Sequence, residues 1–223
     1  MRRELYLPEE YHEKREKHWR RARKWICVML AILIACCLTG SIVRAQQARE
    51  KKEKVQHLAQ EVFRFHVLAN SDIEEDQELK LKVRDAVLAY MKEELPKSES
   101  VEETKNWAKE HLPEIEEKAA EVIAKEGKSY PVHAEVTRCE FPDKTYGDIT
   151  FPAGLYDALR REIGKAKGHN WWCVLYPNLC FMDSLHAVVP EEGKEELQEV
   201  LTDEEYEMVM DGGKVKVRWF FLP

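Results

Sequence analysis

The sequence predicts a mixed α/β (α+β) fold: a single extracytoplasmic domain with helices packed on a small mixed or antiparallel sheet, preceded by one N-terminal transmembrane or signal segment. Three observations predict it. A run of 19 residues without formal charge, Trp25 to Val43, comes directly after the basic cluster Arg20, Arg21, Arg23 and Lys24. Beyond it, stretches with the two-residue apolar period of strands are interleaved with stretches whose apolar residues recur every three to four positions. The 223 residues, 44% of them hydrophobic, suffice for one ordinary domain with a packed core and an appendage.

The appendage comes first. At about 1.5 Å per helical residue, the apolar run approaches the roughly 20 residues that cross a bilayer core. Its basic flank, within residues 1–24, is expected to stay in the cytoplasm and send the downstream chain outside. Residues 25–43 then read either as an anchor in the cytoplasmic membrane or as a cleaved signal, with Val43-Arg44-Ala45 offering a small residue at the cleavage position. Leu33-Ile34-Ala35-Cys36 also has the form of a lipoprotein box, although Cys36 and Cys37 read more simply as small apolar residues. Up to Ala45 there are ten Lys or Arg against five Glu, so of the chain's net −7 the remainder carries −12. An outer domain that acidic is unsuited to nucleic acid or to anionic lipid.

Residues 44–61, charged and free of Gly and Pro, read as a linker or helical stalk. The main domain is expected over 62–189. Its first strand is "VFRFHVLAN", residues 62–70, in which Arg64 and His66 share a face by the period of two. Asn70-Ser71-Asp72 stops the strand and, with Glu74 and Glu75 three residues beyond Ser71 and Asp72, has the form of a capping box. The stripe Leu79, Val83, Val87 and Met91, with Ala86 and Tyr90, predicts a helix to about Leu95. A second stripe, Val101, Ala108, Leu112, Ile115, Ala119 and Val122, predicts a helix over 99–126 that Pro113 kinks or divides and Gly127 ends. Strands are expected at 131–140 and 145–151, turning through Pro142, Asp143 and Lys144 as a hairpin. "PAGLYDALRREIG" reads as a short helix and "NWWCVLY" as another strand. An acidic extension over 190–223 is helical to Met210, then passes Gly212-Gly213 into "KVKVRWFF", whose alternation predicts a strand.

Chemistry is sparse. The chain lacks HExxH, GxSxG, P-loop and GxGxxG signatures. Asp183, Ser184 and His186 supply triad residue types, but neighbours in one stretch point apart. No cofactor motif is found. A metal site is not expected either, since Cys173 and Cys180 have six residues between them and no second ligand pair. In an oxidising space the favoured reading of these two is a disulfide. Closing that eight-residue loop removes about 2.5 kcal/mol of unfolded-state entropy and holds Tyr176, Pro177 and Asn178 as a rigid tip. The alternatives are a nucleophilic Cys173 served by His66, His169 or His186, which needs a free thiolate, and a buried reduced cysteine. Cys139 is left over as a small buried hydrophobe. Trp171 and Trp172 point to opposite faces of a strand, so one can enter the core while the other anchors a partner; the alternative is that both are core. Arg64, His66, Asn70 and Asp72 either line a polar recess or form a solvated face.

Two blocks are more specific. "FRFHVLANSDIEEDQELKLKVRDAVL" at 63–88 and "YGDITFPAGLYDALRREIGKAKGHNWWCVLYPNLCF" at 146–181 resemble, in order and spacing, the stage II sporulation protein R family of endospore-forming bacteria. The resemblance covers Val62 to Phe181. It implies a signalling protein and not an enzyme, made in the forespore and held in its membrane or secreted into the space between forespore and mother cell. There, a member of the family causes a membrane-embedded aspartic protease of the mother-cell membrane to process a sigma-factor precursor. On this reading the Cys173 to Cys180 loop, with Trp171 or Trp172 and the Arg64 and His66 face, docks on the protease. An exported cell-wall hydrolase and a membrane-anchored septal scaffold are the alternatives.

Overall fold

The structure, a computed structural model, describes residues 9–96, 98, 100–181, 189 and 191–212. The expected strand at "KVKVRWFF" and the Asp183, Ser184 and His186 group lie outside the described residues. The chain divides into two compact units, Met1–Glu50 and Lys51–Pro223.

The first unit is helical. Helix α1, Glu9–Glu61, contains a window of 18 residues with mean hydropathy 2.7, long and apolar enough to cross a membrane. Within it Thr39 and Ser41 donate their hydroxyls to the carbonyls of Ala35 and Cys37, both at 2.8 Å. That internal satisfaction suits hydroxyls in a lipid environment, where water is not at hand.

In the second unit the elements run in the order β1 (Phe63–Leu68), α2 (Glu74–Glu94), α3 (Val101–Glu110), α4 (Leu112–Lys125), β2 (Val132–Phe141), β3 (Lys144–Tyr146), β4 (Ile149–Phe151), β5 (Gly154–Ile163) and β6 (Asn170–Tyr176). A 3-10 turn (Leu179–Phe181), α5 (Glu191–Val200) and α6 (Asp203–Met210) complete it. The sheet is mixed, in the order β2-β5-β1-β6, with β1 and β5 parallel and the other pairs antiparallel.

The two expected amphipathic helices form where their stripes demand. Leu79, Val83, Val87 and Met91 of α2 are buried with Ala108, Ile115 and Ala119 of the next two helices against Phe63, Phe65 and Val67 of β1. Pro113 divides the second helix, standing in the first turn of α4 where its missing N–H costs nothing. Gly127, at φ +70°, turns the chain out of α4.

Three expectations are corrected. The segment read as a helix, "PAGLYDALRREIG", is β5, a central strand paired with β2 over ten residues and with β1 over five. Its Leu155, Leu159 and Ile163 spacing imitates a helical stripe, but backbone pairing with β1 and β2 and burial of both faces override local propensity. Consequently β2 pairs with β5, and the tight hairpin joins β3 to β4. The capping box is also absent: Ile73 is the N-cap of α2 and no side chain caps it.

The sheet's second face carries a second core. Leu58, Ala59 and Val62, at the end of α1 and just beyond it, pack there with Phe141, Phe151, Tyr156, Ala158 and Val174. Leu197, Leu201, Met208 and Val209, from the α5 and α6 region, are buried in the same cluster. The residues expected as a separate acidic extension thus supply part of this core. Thr202 and Glu205 form a capping box at α6, and the buried Glu205 also meets His57 Nδ1 at 2.6 Å.

Candidate functional site

Arg64 and His66 do share a face of β1, the one that looks away from α2 and α4, and that face is covered. Arg64 is completely buried inside a box of aromatic rings, with its guanidinium carbon 4.4 Å from the Phe141 ring centre, 4.9 Å from Tyr156 and 5.2 Å from Phe151. It donates from Nε to the Cys173 carbonyl at 3.1 Å and from Nη2 to the Tyr146 hydroxyl at 3.0 Å. Burial and the adjacent rings make it a cation held by π faces and neutral acceptors, a structural pillar of the second core. Burial also pushes the Tyr156 phenol up to about 12, so no phenolate forms beside it.

His66, 4% exposed, stacks on Trp172 with ring centres 5.0 Å apart and planes within 10°. Its Nε2 lies 3.4 Å from Cys139 Sγ. Desolvation, then the positive charges of Arg160 and Arg64, lower His66 to about 4, while burial pushes the Cys139 thiol up. The pair is therefore neutral at physiological pH, the opposite of the thiolate–imidazolium state a cysteine nucleophile needs.

Around this pair the sheet face opens. Trp172 is half-buried, Lys144 Nζ lies 5.9 Å from its ring centre, and Arg160 spans Glu135 and Glu162 at 3.5 and 2.5 Å. His66 Nδ1 and Arg160 Nε have no partner among the described residues. An aromatic ring flanked by mixed charges can receive a polar partner surface with an apolar anchor. Glu135, Cys139, Lys144, Arg160 and Glu162 were missed in the sequence, because reading 152–164 as a helix removes the strand that places Arg160 and Glu162 beside His66. The alternation of Ala158, Arg160 and Glu162 was the available signal.

The remaining sequence-derived residues do other work. Asn70 and Asp72 do not line the recess; they clasp the loop between β5 and β6. Asn70 accepts from the Lys165 amide at 3.0 Å and donates to Asp76 at 2.7 Å, and Asp72 accepts from both the amide and the ring of His169. The hydrogen bonds from His169 lower the Asp72 carboxyl. For the buried Asp76, desolvation raises the carboxyl, but hydrogen bonds from Ser71, Asn70 and Tyr130 bring it below its usual range. Gly164 and Gly168 let the loop approach, since a Cβ at either would meet Asn70 or Ser71.

Cys173 and Cys180 form the disulfide. The segment it closes is not an exposed tip: Tyr176 and Pro177, joined by a cis peptide, are buried, and half-buried Asn178 donates its amide to Glu196 of α5 at 3.2 Å. Trp171 faces the other side, edge-on to Phe65 and 4.9 Å from the Arg84 guanidinium. Among the described residues no group of three or more His, Cys, Asp or Glu is placed to hold a metal.

The family model of stage II sporulation protein R matches residues 59–186, from the last turn of α1 to beyond the disulfide. The chain belongs to this family. It is 34% identical over 213 residues to the stage II sporulation protein R of Bacillus subtilis (strain 168), covering 88% of this chain and 93% of that protein. No solved structure matches it. The family gives the chain a role in sporulation, and the apolar helix together with the disulfide points to an extracytoplasmic domain. The matched span contains the whole four-stranded sheet, the aromatic box and the face around Trp172.

Proposed function

We propose that this protein is a ligand and not an enzyme: an exported forespore signal that activates a membrane-embedded aspartic protease of the mother-cell membrane, which then processes a sigma-factor precursor. Family membership supports the setting. The observation that carries the ligand reading is the state of the domain's thiols. Cys173 is bonded to Cys180, and Cys139 faces a histidine held at about 4. Neither is a ready nucleophile, and the catalytic aspartates belong to the partner.

The surface we assign to the partner is the open face around Trp172, with Lys144 and Arg160 at its rim. Trp172 supplies the apolar anchor, and Lys144 Nζ lies 5.9 Å from its ring centre. A ligand that binds the active protease more tightly than the inactive one shifts its population, and a 100-fold preference is worth about 2.7 kcal/mol. The test is an immunoblot of the sigma-factor precursor in sporulating cells that lack the protein, then with the parent or Lys144→Glu restored. Uncut precursor that is processed on restoration, and processed less with Lys144→Glu at equal protein level, supports the reading. Normal processing without the protein refutes the trigger role. Full activity of Lys144→Glu and of Trp172→Ala refutes the surface.

A further inference from the structure

Among the described residues strand β2 closes one end of the sheet, and its pairing there is on its inner side, with β5. Among the described residues one group meets its outer side: the Glu116 carboxylate accepts from the Ala134 amide at 2.6 Å. That contact fixes the parity of the strand. The backbone groups of Ala134, Val136, Arg138 and Glu140 face outward, and those of the odd-numbered residues face β5. Beyond that contact, the outward backbone groups of Val136, Arg138 and Glu140 form a template for another strand.

We propose that the outer edge of β2 pairs with β2 of a second copy of this chain, antiparallel across a two-fold axis at Cys139. Charge decides the register. Outward-facing residues must oppose outward-facing residues, so the axis falls either on one of them or on an odd-numbered residue between two. An axis on Arg138 or on Glu140 sets like charges against each other. An axis on Val136 or Thr137 leaves Arg138 against Ala134 or Val136. An axis on Cys139 overlaps Thr137 to Phe141 of the two strands and sets Arg138 opposite Glu140 of the second copy, twice by symmetry, and such opposed pairs are favourable where like pairs are not. Both side chains are exposed, and the nearby Asp157 keeps Lys105 at 2.7 Å when Arg138 turns from it.

In that register the two Cys139 residues form a non-hydrogen-bonded pair with Cα atoms about 4.5 Å apart, within the span of a disulfide. Cys139 lies on the same face as Trp172, so pairing places both copies of the candidate face on one side of a continuous eight-stranded sheet built from two four-stranded ones. The result is a bivalent ligand.

The experiment uses the full chain in detergent micelles, with Cys27, Cys36 and Cys37 changed to alanine so that Cys139 is the free thiol among the described residues. Sedimentation under reductant is expected to give a dimer at micromolar concentration. Treatment with diamide then traps it: one S–S bond forms between the Cys139 thiols, and their two protons and two electrons reduce the diamide N=N bond to a hydrazine. The band disappears with Cys139→Ser. Glu140→Arg is expected to weaken the dimer about tenfold, and adding Arg138→Glu to restore it. A monomer without a trapped band overturns the proposal, as does a dimer indifferent to Glu140→Arg. A monomer that cross-links through Cys139 only when the partner protease is present gives the edge to a partner strand and also overturns it.

Discussion

Replacing Gly168 with alanine tests how the two ends of the sheet's central strands are held together. Gly168 sits in the loop between β5 and β6, and its amide donates to the Ala69 carbonyl at 2.9 Å beside the Lys167 amide on Asn70 at 3.3 Å. A Cβ there would lie 2.6 Å from the Ser71 carbonyl carbon and 2.9 Å from the Ala69 Cβ. The first is backbone and does not yield, so the loop must retreat. Overpacking costs about 1 to 3 kcal/mol and each of the two hydrogen bonds lost with it about 1 kcal/mol, so the expected loss is about 3 to 5 kcal/mol. Gly127→Ala is the control. Gly127 has φ +70° with open space around its Cβ, so the conformational cost of about 1 to 2 kcal/mol stands alone. Urea unfolding measures both, and hydrogen exchange at the Lys165, Gly168 and His169 amides localises the damage. If Gly168→Ala costs no more than Gly127→Ala and those amides stay protected, the loop is not clasped in this way.

Acid is expected to weaken the domain through His66. Its folded-state value of about 4 lies below the unfolded 6.5, so only the unfolded chain takes up this proton as pH falls between them. Stability falls across that window, by about 3 kcal/mol relative to His66→Gln at pH 4, and a flat difference between the two unfolding curves refutes it. Changing Cys173 and Cys180 together to serine should cost about 2.5 kcal/mol in urea unfolding, since the disulfide closes a short loop. Leu197→Ala should cost about 2 to 5 kcal/mol in the same assay, because Leu197 is fully buried in the second core; a surface-like loss below about 0.5 kcal/mol contradicts that placement.

The helices were legible because their apolar residues are local signals. Leu79, Val83, Val87 and Met91 mark one face whatever lies opposite, and Pro113 divides a helix without help from elsewhere. The N-terminal apolar run and its basic flank are equally self-contained, as is the pairing of two nearby cysteines in an oxidising space. The family, too, was carried by contiguous blocks of sequence. By contrast, the fate of "PAGLYDALRREIG" depended on partners far away in the chain. β5 is a strand because β1 and β2 satisfy its backbone on both sides, and no local periodicity records that.

The candidate site divided in the same way. That Arg64 and His66 share a face is a consequence of the two-residue period and was readable. That the face is buried was not: the rings of Phe141, Phe151 and Tyr156 that cover Arg64 arrive from strands far later in the chain. Asn70, Ser71 and Asp72 have the composition of a helix cap, but once folding brings Lys165 and His169 alongside, their side chains bind that loop and Asp76 instead. By itself the sequence determined the apolar N-terminal run, the amphipathic helices and the family, because each depends on neighbouring residues. The tertiary structure decided which polar groups are buried and which aromatic ring stays open, because burial is a property of long-range strand pairing.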